Sequence, residues 1–461
     1  MRKPILRLFH RSQFSFHRSQ FSFLRSPFSV HRSPFSFLRS PFSFHRSPFS
    51  FHLSPSPMLI FHTADWHLGN IFHRHDRLAE HRHFFSWLIA QLREHQPDIM
   101  IVSGDIFDNA NPSAAAESLF YEVLKEAVQA VAGMQIVIIA GNHDSAHRLE
   151  APSPFLKANN IYVRGNVKRT DNDTPDFGDL LLPLSRRASS EAEVVCLALP
   201  FLRSSDYPSG LSVGDGIKYY VEGMLKALHR SEFKKLPIIA AAHFYAAGAE
   251  ISEEHSERLV VGGQDAVLTK VVDKQVGYTA LGHIHRRQCV DYDRQMWYAG
   301  SILPLSFSEK HYKHGINCVR MDDNGKCTVT QLDYTPLRRL RSIPEKGAAS
   351  TTEVLEALSL LPTADELPNR DGWDYLEIRV QEQQPEPTFL AEVTEALRGK
   401  AVYFCRIVRE MPVRNSAEQE RVVSNAALHI TPEEMAQRFY RQHYGENMPE
   451  EMLERFTKAM L

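Results

Sequence analysis

The stretch Ile99-Met100-Ile101-Val102-Ser103-Gly104-Asp105-Ile106-Phe107-Asp108 ends a short apolar run in a Gly-Asp turn, with a second acid three residues on. Four further runs end in a similar way. Leu59-Ile60-Phe61 leads through His62-Thr63-Ala64 to Asp65-Trp66-His67, and Ile136-Val137-Ile138-Ile139-Ala140 ends in Gly141-Asn142-His143-Asp144. Ile238-Ile239-Ala240-Ala241-Ala242 ends in His243, and Tyr278-Thr279-Ala280-Leu281 ends in Gly282-His283-Ile284-His285. Helical stretches separate the apolar runs, so a layered α/β domain follows. In open α/β sheets the loops beyond the carboxyl ends of strands converge on ligands, because the sheet holds them rigidly. Five strands each deliver Asp, His or Asn to that edge.

The donor set is chemically selective. Asp and His side chains with one Asn carbonyl and no thiolate suit Mn, Fe or Zn at a hydrolytic centre better than a structural zinc site. Two cations about 3.5–4 Å apart, bridged by one carboxylate, serve in-line attack on phosphorus. Asp105 is the natural bridge. Taken singly, each motif has an ordinary structural reading as a turn, a helix N-cap, or a strand whose two histidines point to opposite faces. Their order, each directly after an apolar run, favours a shared catalytic role. His73, His75, His81 and His83 show no partner carboxylate pattern and read as solvated.

Composition divides the chain in two. Among its 461 residues, 53 are Lys or Arg and 55 Asp or Glu, for a formal charge of −2. Nine of the basic residues and none of the acids fall in residues 1–57, so the remainder carries 44 basic against 55 acidic groups. From Arg11 this tail repeats every seven residues (RSQFSFH, RSQFSFL, RSPFSVH, RSPFSFL, RSPFSFH, RSPFSFH), with Pro27, Pro34, Pro41 and Pro48 once per later copy. Those prolines exclude a heptad helix, at a cost of about 3 kcal/mol each, and with it an amphipathic transit peptide. The tail is expected to be a translated nucleotide repeat upstream of a start at Met58, with a disordered basic arm as the functional alternative. No run of 18 apolar residues predicts a membrane span. Cys196, Cys289, Cys318, Cys327 and Cys405 are odd in number and widely spaced, as in a reducing compartment, and a cytoplasmic location is expected.

In the order D-x-H, GDxxD, GNHD, H and GHxH, the chain resembles the calcineurin-like metallophosphoesterases. HTADWHLG at 62–69, SGDIFD at 103–108, AGNHDS at 140–145, LPFLR at 199–203, ALGHIH at 280–285 and YAGSILPLSF at 298–307 are similar to one branch, the SbcD family, the bacterial counterpart of the eukaryotic double-strand-break repair nuclease. The resemblance covers Met58 to Leu461 and implies a four-layer αββα metallophosphoesterase sandwich, a small α/β capping domain and a C-terminal helical segment. It implies boundaries at 1–57, 58–335 for the nuclease domain, 336–412 for the cap, and 413–461 for a linker and partner-binding helices. One metal would be held by Asp65, His67, Asp105 and His285, and the second by Asp105, Asn142, His243 and His283, most simply as two Mn²⁺ ions. His143 would protonate the leaving 3′ oxygen, with Asp144 orienting it. Asp108 stands where some relatives carry a histidine, so that histidine's role does not transfer.

The same resemblance implies a DNA substrate, cut by a 3′→5′ double-strand exonuclease that is also a single-strand and hairpin endonuclease, in repair, replication and recombination. An acidic body that must handle DNA needs local basic patches. Arg286-Arg287, Arg338-Arg339 with Arg341, and Lys310 with Lys313 are the candidates. No GxxxxGK[ST] phosphate loop occurs, so ATP coupling would come from an SbcC-like, SMC-family ATPase, in a heterotetramer containing a homodimer of this chain. A helix start at Thr431-Pro432-Glu433-Glu434, a stop at Gly445, and Met448, Met452, Phe456 and Met460 recurring every four residues mark the expected dock. Trp373–Val380 and Ala401–Val408 read as cap strands around a helix near Phe389–Leu397. A phosphatase or cyclic-nucleotide phosphodiesterase on the same metals is the alternative enzyme, and a scaffold without metals the non-catalytic one.

Overall fold

The computed structural model describes residues 56–251, 266–381, 387–410, 437, 440–441 and 447–459. The repeats of the tail, the helix start at Thr431–Glu434 and the stop at Gly445 lie outside them.

Two six-stranded sheets carry the body. In the first, Met58–Thr63, Ile99–Ser103, Gln135–Ile139 and Ile161–Arg164 run parallel, and His314–Met321 and Cys327–Tyr334 close one edge antiparallel. In the second, Met296–Tyr298, Val276–Gly282, Ile238–His243 and Val194–Leu199 are parallel, flanked by antiparallel Gln288–Asp291 and Leu181–Leu184.

The apolar runs are unbroken because each strand is buried on both faces. Ile60, Ile99, Ile101, Val137 and Ile139 meet Val194, Cys196, Ala198, Ile239 and Ala241 between the sheets. The alternate residues Phe61, Met100, Val102, Ile136 and Ile138 pack with Phe84, Leu88, Leu119 and Phe120 of helices Leu78–His95 and Ala114–Ala130. On the far side, Val195, Leu197, Ile238 and Ala240 pack with Tyr220, Met224 and Leu228 of helix Val213–Arg230. The layers are therefore α, β, β, α, the expected sandwich, and period-two alternation assigns each residue to its layer. Every strand bearing a predicted ligand opens its carboxyl end on one edge of this stack.

A smaller parallel sheet of Leu340–Ile343, Asp374–Gln381 and Val402–Glu410 carries helices Thr351–Ser359 and Phe389–Ala396 over a core of Val354, Leu358, Leu376, Ile378, Phe389 and Val393. Two of its strands and one helix match the runs read from the sequence. The other helix is announced by a capping box, Ser350 with Glu353. This cap rests on the larger body through a buried polar knot. Glu80 accepts from Arg77 at 2.7 Å, from the Tyr375 hydroxyl at 2.6 Å and from Arg338 at 3.3 Å.

Several surface expectations are corrected. His81 is buried, each ring nitrogen facing a carbonyl, Arg77 at 3.0 Å and Trp66 at 2.9 Å. His73 and His75 are half-buried, and His75 Nε2 lies 3.1 Å from the Phe404 carbonyl of the cap. Only His83 is exposed, and its Nδ1 lies 2.7 Å from the Tyr334 hydroxyl. Of the basic clusters, Arg287 and Arg338 are buried and structural: Arg287 donates to the Leu332 carbonyl and Asp333, and Arg338 to Glu80 and Asp371. Arg286, Arg339, Arg341 and Lys313 remain exposed, Arg286 beside Glu250. Among the described residues no helix is long and apolar enough to cross a membrane. Helix Glu450–Ala459 forms, with Met452 exposed on it.

Candidate metal centre

The loops after five strands bring the predicted ligands together. One donor atom each from Asp65, His67 and Asp105 lie within 4.8 Å of one another, and so do donors from Asp105, His243 and His283. The two groups share Asp105. Asn142 joins the second, its Oδ1 2.9 Å from His243 Nε2 and 3.0 Å from His283 Nδ1. His285 joins the first, its ring centroid 5.2 Å from that of His67.

The backbone is bent to achieve this. Asp65, His67, Asp105 and His283 all have positive φ (52°, 45°, 50° and 103°), a conformation unfavourable for side chains with a Cβ and concentrated at functional sites. Cross-loop hydrogen bonds hold them there: the Asp65 amide donates to the Gly104 carbonyl and the His67 amide to that of Asp105, each at 3.0 Å. Carboxylates are enlisted too, the His283 amide donating to Asp65 and the His143 amide to Asp105 at 2.9 Å each. Gly104 must be glycine, since at its φ of +87° a Cβ would strike the His243 ring.

The electrostatics are those of a cation site. Burial pushes the Asp65 carboxyl up to about 6, against the pull of His243, His285 and His67. Burial also raises Asp105, but His243, His67 and His143 outweigh it and hold that carboxyl well below the usual range. His243, which burial alone would lower, is lifted to about 10 by Asp105 and Asp65. Two carboxylates in one buried cluster demand positive charge. Asp65 Oδ2 and His67 Nε2 are buried with no hydrogen bond among the described residues, and Asp105 Oδ2 lies 3.3 Å from His243 Nε2, so donors are left over for something else. Oxygen and imidazole donors without thiolate fit hard to borderline divalent cations.

Neighbours of these residues fix their orientation. The Ser103 carbonyl, 2.8 Å from His243 Nδ1, takes that proton and leaves Nε2 for the cluster. Asp108 Oδ1 accepts from Asn70 at 2.8 Å and lies 3.4 Å from His67 Nδ1. Asp144 does not orient His143. Its two oxygens accept from the amides of Ile106 (3.2 Å), Phe107 (2.9 Å) and Gly141 (2.8 Å), so the carboxylate is spent on tying the Asp105 loop to the Asn142 loop. His143 Nδ1 is held by the Asp108 carbonyl instead. Glu309, buried and 3.1 Å from His285 Nδ1, was missed by sequence reasoning, since it lies 24 residues beyond its partner and two residues past the end of the YAGSILPLSF run.

Comparison with known proteins agrees with the geometry. Residues 58–287 match the family model described as calcineurin-like phosphoesterase, and residues 334–444 that described as type 5 capsule protein repressor C-terminal domain. The chain is 37% identical over 349 residues to the SbcD component of the SbcCD nuclease of Rhodobacter capsulatus, covering 74% of this chain and 83% of that protein. It is 31% identical to the proteins of the same name from Bacillus subtilis (87% of this chain, 97% of that one) and Escherichia coli K12 (65% and 74%). A phosphoesterase domain of this kind implies divalent metal ions, for which the cluster around Asp105 supplies the donors. With a sandwich of the expected layers and relatives matched over most of both chains, the protein belongs to the SbcD family of calcineurin-like metallophosphoesterases.

Proposed function

We propose that this chain is the nuclease component of an SbcCD-type complex, cutting DNA phosphodiester bonds as a 3′→5′ double-strand exonuclease and a single-strand or hairpin endonuclease. The observation that carries the reading is the pair of donor groups sharing the buried Asp105. Asp65, His67, Asp105 and His285 would hold one cation and Asp105, Asn142, His243 and His283 the other, Mn²⁺ suiting that mixture of oxygen and nitrogen donors. When bound, the cations neutralise charge on the phosphoryl group and lower the pKa of water. The chain's own residues do the rest. Asp105 keeps the two donor groups at a fixed separation. His143, anchored through Nδ1, gives a proton from Nε2 to the leaving 3′ oxygen. Asp144 holds the two loops that carry Asp105 and His143.

Residues 58–335 form the nuclease domain and 336–412 the cap that helps to position DNA, with Arg339 and Arg341 of the cap and Arg286 and Lys313 of the nuclease domain as exposed cations. Residues 413–461 dock an SbcC-like SMC-family ATPase that supplies ATP dependence, in a heterotetramer around a homodimer, in the cytoplasm. The names of the curated relatives, each one component of an SbcCD nuclease, support the partner. The test incubates the protein with Mn²⁺ and end-labelled duplex DNA, with and without the ATPase. Shortening of the labelled strand from its 3′ end, lost in Asp105→Asn, is expected. Turnover of small phosphomonoesters or cyclic nucleotides with DNA intact would favour the phosphatase or cyclic-nucleotide phosphodiesterase.

A further inference from the structure

We propose that Glu309 is a positioning residue for the metal centre: its carboxylate takes the Nδ1 proton of His285 in a hydrogen bond and so dedicates Nε2 of that ring to a divalent cation. The inference rests on reading the Asp105 cluster as a two-metal site, and adds to it a residue outside every motif.

Three observations carry it. Glu309 is 2% exposed and its Oε1 lies 3.1 Å from His285 Nδ1, so the pair shares a water-poor interior where a carboxylate is seldom left without a purpose. Its other oxygen, Oε2, accepts from the Leu305 amide at 2.8 Å, so the carboxylate is fixed with both oxygens engaged, and Glu309 belongs to neither donor group. Glu309 is thus a neighbour of a ligand rather than a ligand. Thirdly, the short turn Phe307–Glu309 that carries it is braced from both sides. Phe307 is buried against Phe72 with ring centroids 5.5 Å apart, and the Arg406 guanidinium of the cap lies 5.4 Å from the Phe307 ring. Lys310 reaches Ser342 of the cap at 3.0 Å. A carboxylate held this firmly can dictate the tautomer and ring direction of the imidazole it touches, and a partner of that kind changes metal affinity by about 10–100-fold when removed.

The pairing mirrors that of His243, whose Nδ1 is tied to the Ser103 carbonyl. The difference is chemical. A carboxylate carries charge, so it also makes the His285 ring a stronger electron donor than a carbonyl would.

The test uses the full-length chain and the Glu309→Gln variant, stripped of metal and titrated with MnCl₂ by calorimetry. The expected result is two Mn²⁺ equivalents for the parent, and for the variant one equivalent weakened about 10–100-fold with the metal-free melting temperature little changed. Histidine-selective ¹⁵N spectra of the metal-free parent should show His285 protonated at Nδ1, assigned by the signal lost in His285→Asn. Equal Mn²⁺ affinities in parent and variant, or a parent His285 protonated at Nε2, would overturn the proposal. A lowered metal-free melting temperature with unchanged tautomer and affinity would assign Glu309 to loop structure alone and equally overturn it. Should the variant fail to fold, the tautomer of the parent still decides. A parent that takes up no Mn²⁺ would instead defeat the two-metal reading, an outcome distinct from equal binding by both proteins.

Discussion

The carbonyl oxygen of Asp108 lies 2.8 Å from Nδ1 of His143. A carbonyl only accepts, so Nδ1 keeps its proton and Nε2 is the atom left to exchange one with substrate. The backbone of the GDxxD loop, rather than its second acid side chain, therefore sets the tautomer of the proposed general acid.

His143→Ala should lower kcat on DNA by about 10²–10⁴-fold, the usual worth of a positioned proton donor, while Mn²⁺ uptake measured by calorimetry stays near that of the parent. The loss should be much smaller on bis(p-nitrophenyl) phosphate, whose leaving group departs readily as an anion. Equal losses on the two substrates would mean that His143 serves the site in some way other than proton donation.

Asp144→Ala should act through stability. The carboxylate satisfies three buried amides, those of Ile106, Phe107 and Gly141, and each amide left without an acceptor costs roughly 1–3 kcal/mol. A drop in the urea midpoint corresponding to several kcal/mol is expected, with a milder one in Asp144→Asn, which keeps one acceptor oxygen. An unchanged midpoint in the alanine variant would contradict this assignment.

The fate of these two adjacent residues shows what the sequence made legible. The ligand motifs could be read because each sits at the end of an apolar run, and the sheet then decides where it points. Phe61 and Ile60, or Met100 and Ile101, could likewise be divided between layers, since the period of two is a property of the strand itself. What Asp144 and Glu309 touch was not legible. Beside the nearby amides of Gly141 and Leu305, their partners are the amides of Ile106 and Phe107 and the His285 ring, brought close by other loops, and no spacing along the chain records those meetings. The same holds for Arg287 and Arg338: basic pairs look alike in sequence whether they meet DNA or, as here, the protein's own acids and carbonyls.

His62 makes stability depend on pH. It is buried beside the Tyr278 hydroxyl at 2.8 Å, and burial holds it down at about 3. The unfolded chain takes up this proton below pH 6.5, while the folded one does not until about 3. Stability is therefore full above 6.5 and declines as the pH falls through that window. Urea midpoints of the metal-free protein should fall between pH 7 and pH 5. His62→Asn, which keeps an acceptor for Tyr278, should remove about 1.4 kcal/mol per pH unit from the slope. Identical slopes in the two proteins would rule out His62 as the source.

Glu80 is where the cap is pinned. It is fully buried, and although burial works against its ionised form, Arg77, Tyr375 and Arg338 together hold its carboxyl below the ordinary value. Deleting it leaves the buried Arg77 guanidinium without its acid and takes one of two from Arg338, a loss that costs about 3–5 kcal/mol when one partner of a buried pair is removed. Arg338 keeps Asp371 and lies 4.9 Å from the Tyr403 ring, whereas Arg77 keeps, among the described residues, the Pro304 carbonyl and the ring faces of Phe72 and Tyr375. Because Tyr375 and Arg338 lie on the cap side of this knot and Arg77 on the body side, Glu80→Ala should loosen their junction as well as lower the melting temperature. Limited proteolysis should then cut faster within residues 336–374 in the variant than in the parent at a temperature where both remain folded. Cleavage of that stretch at the parent's rate would place the pin of the cap elsewhere, on the Phe72, Phe307 and Tyr375 cluster that shares the same seam.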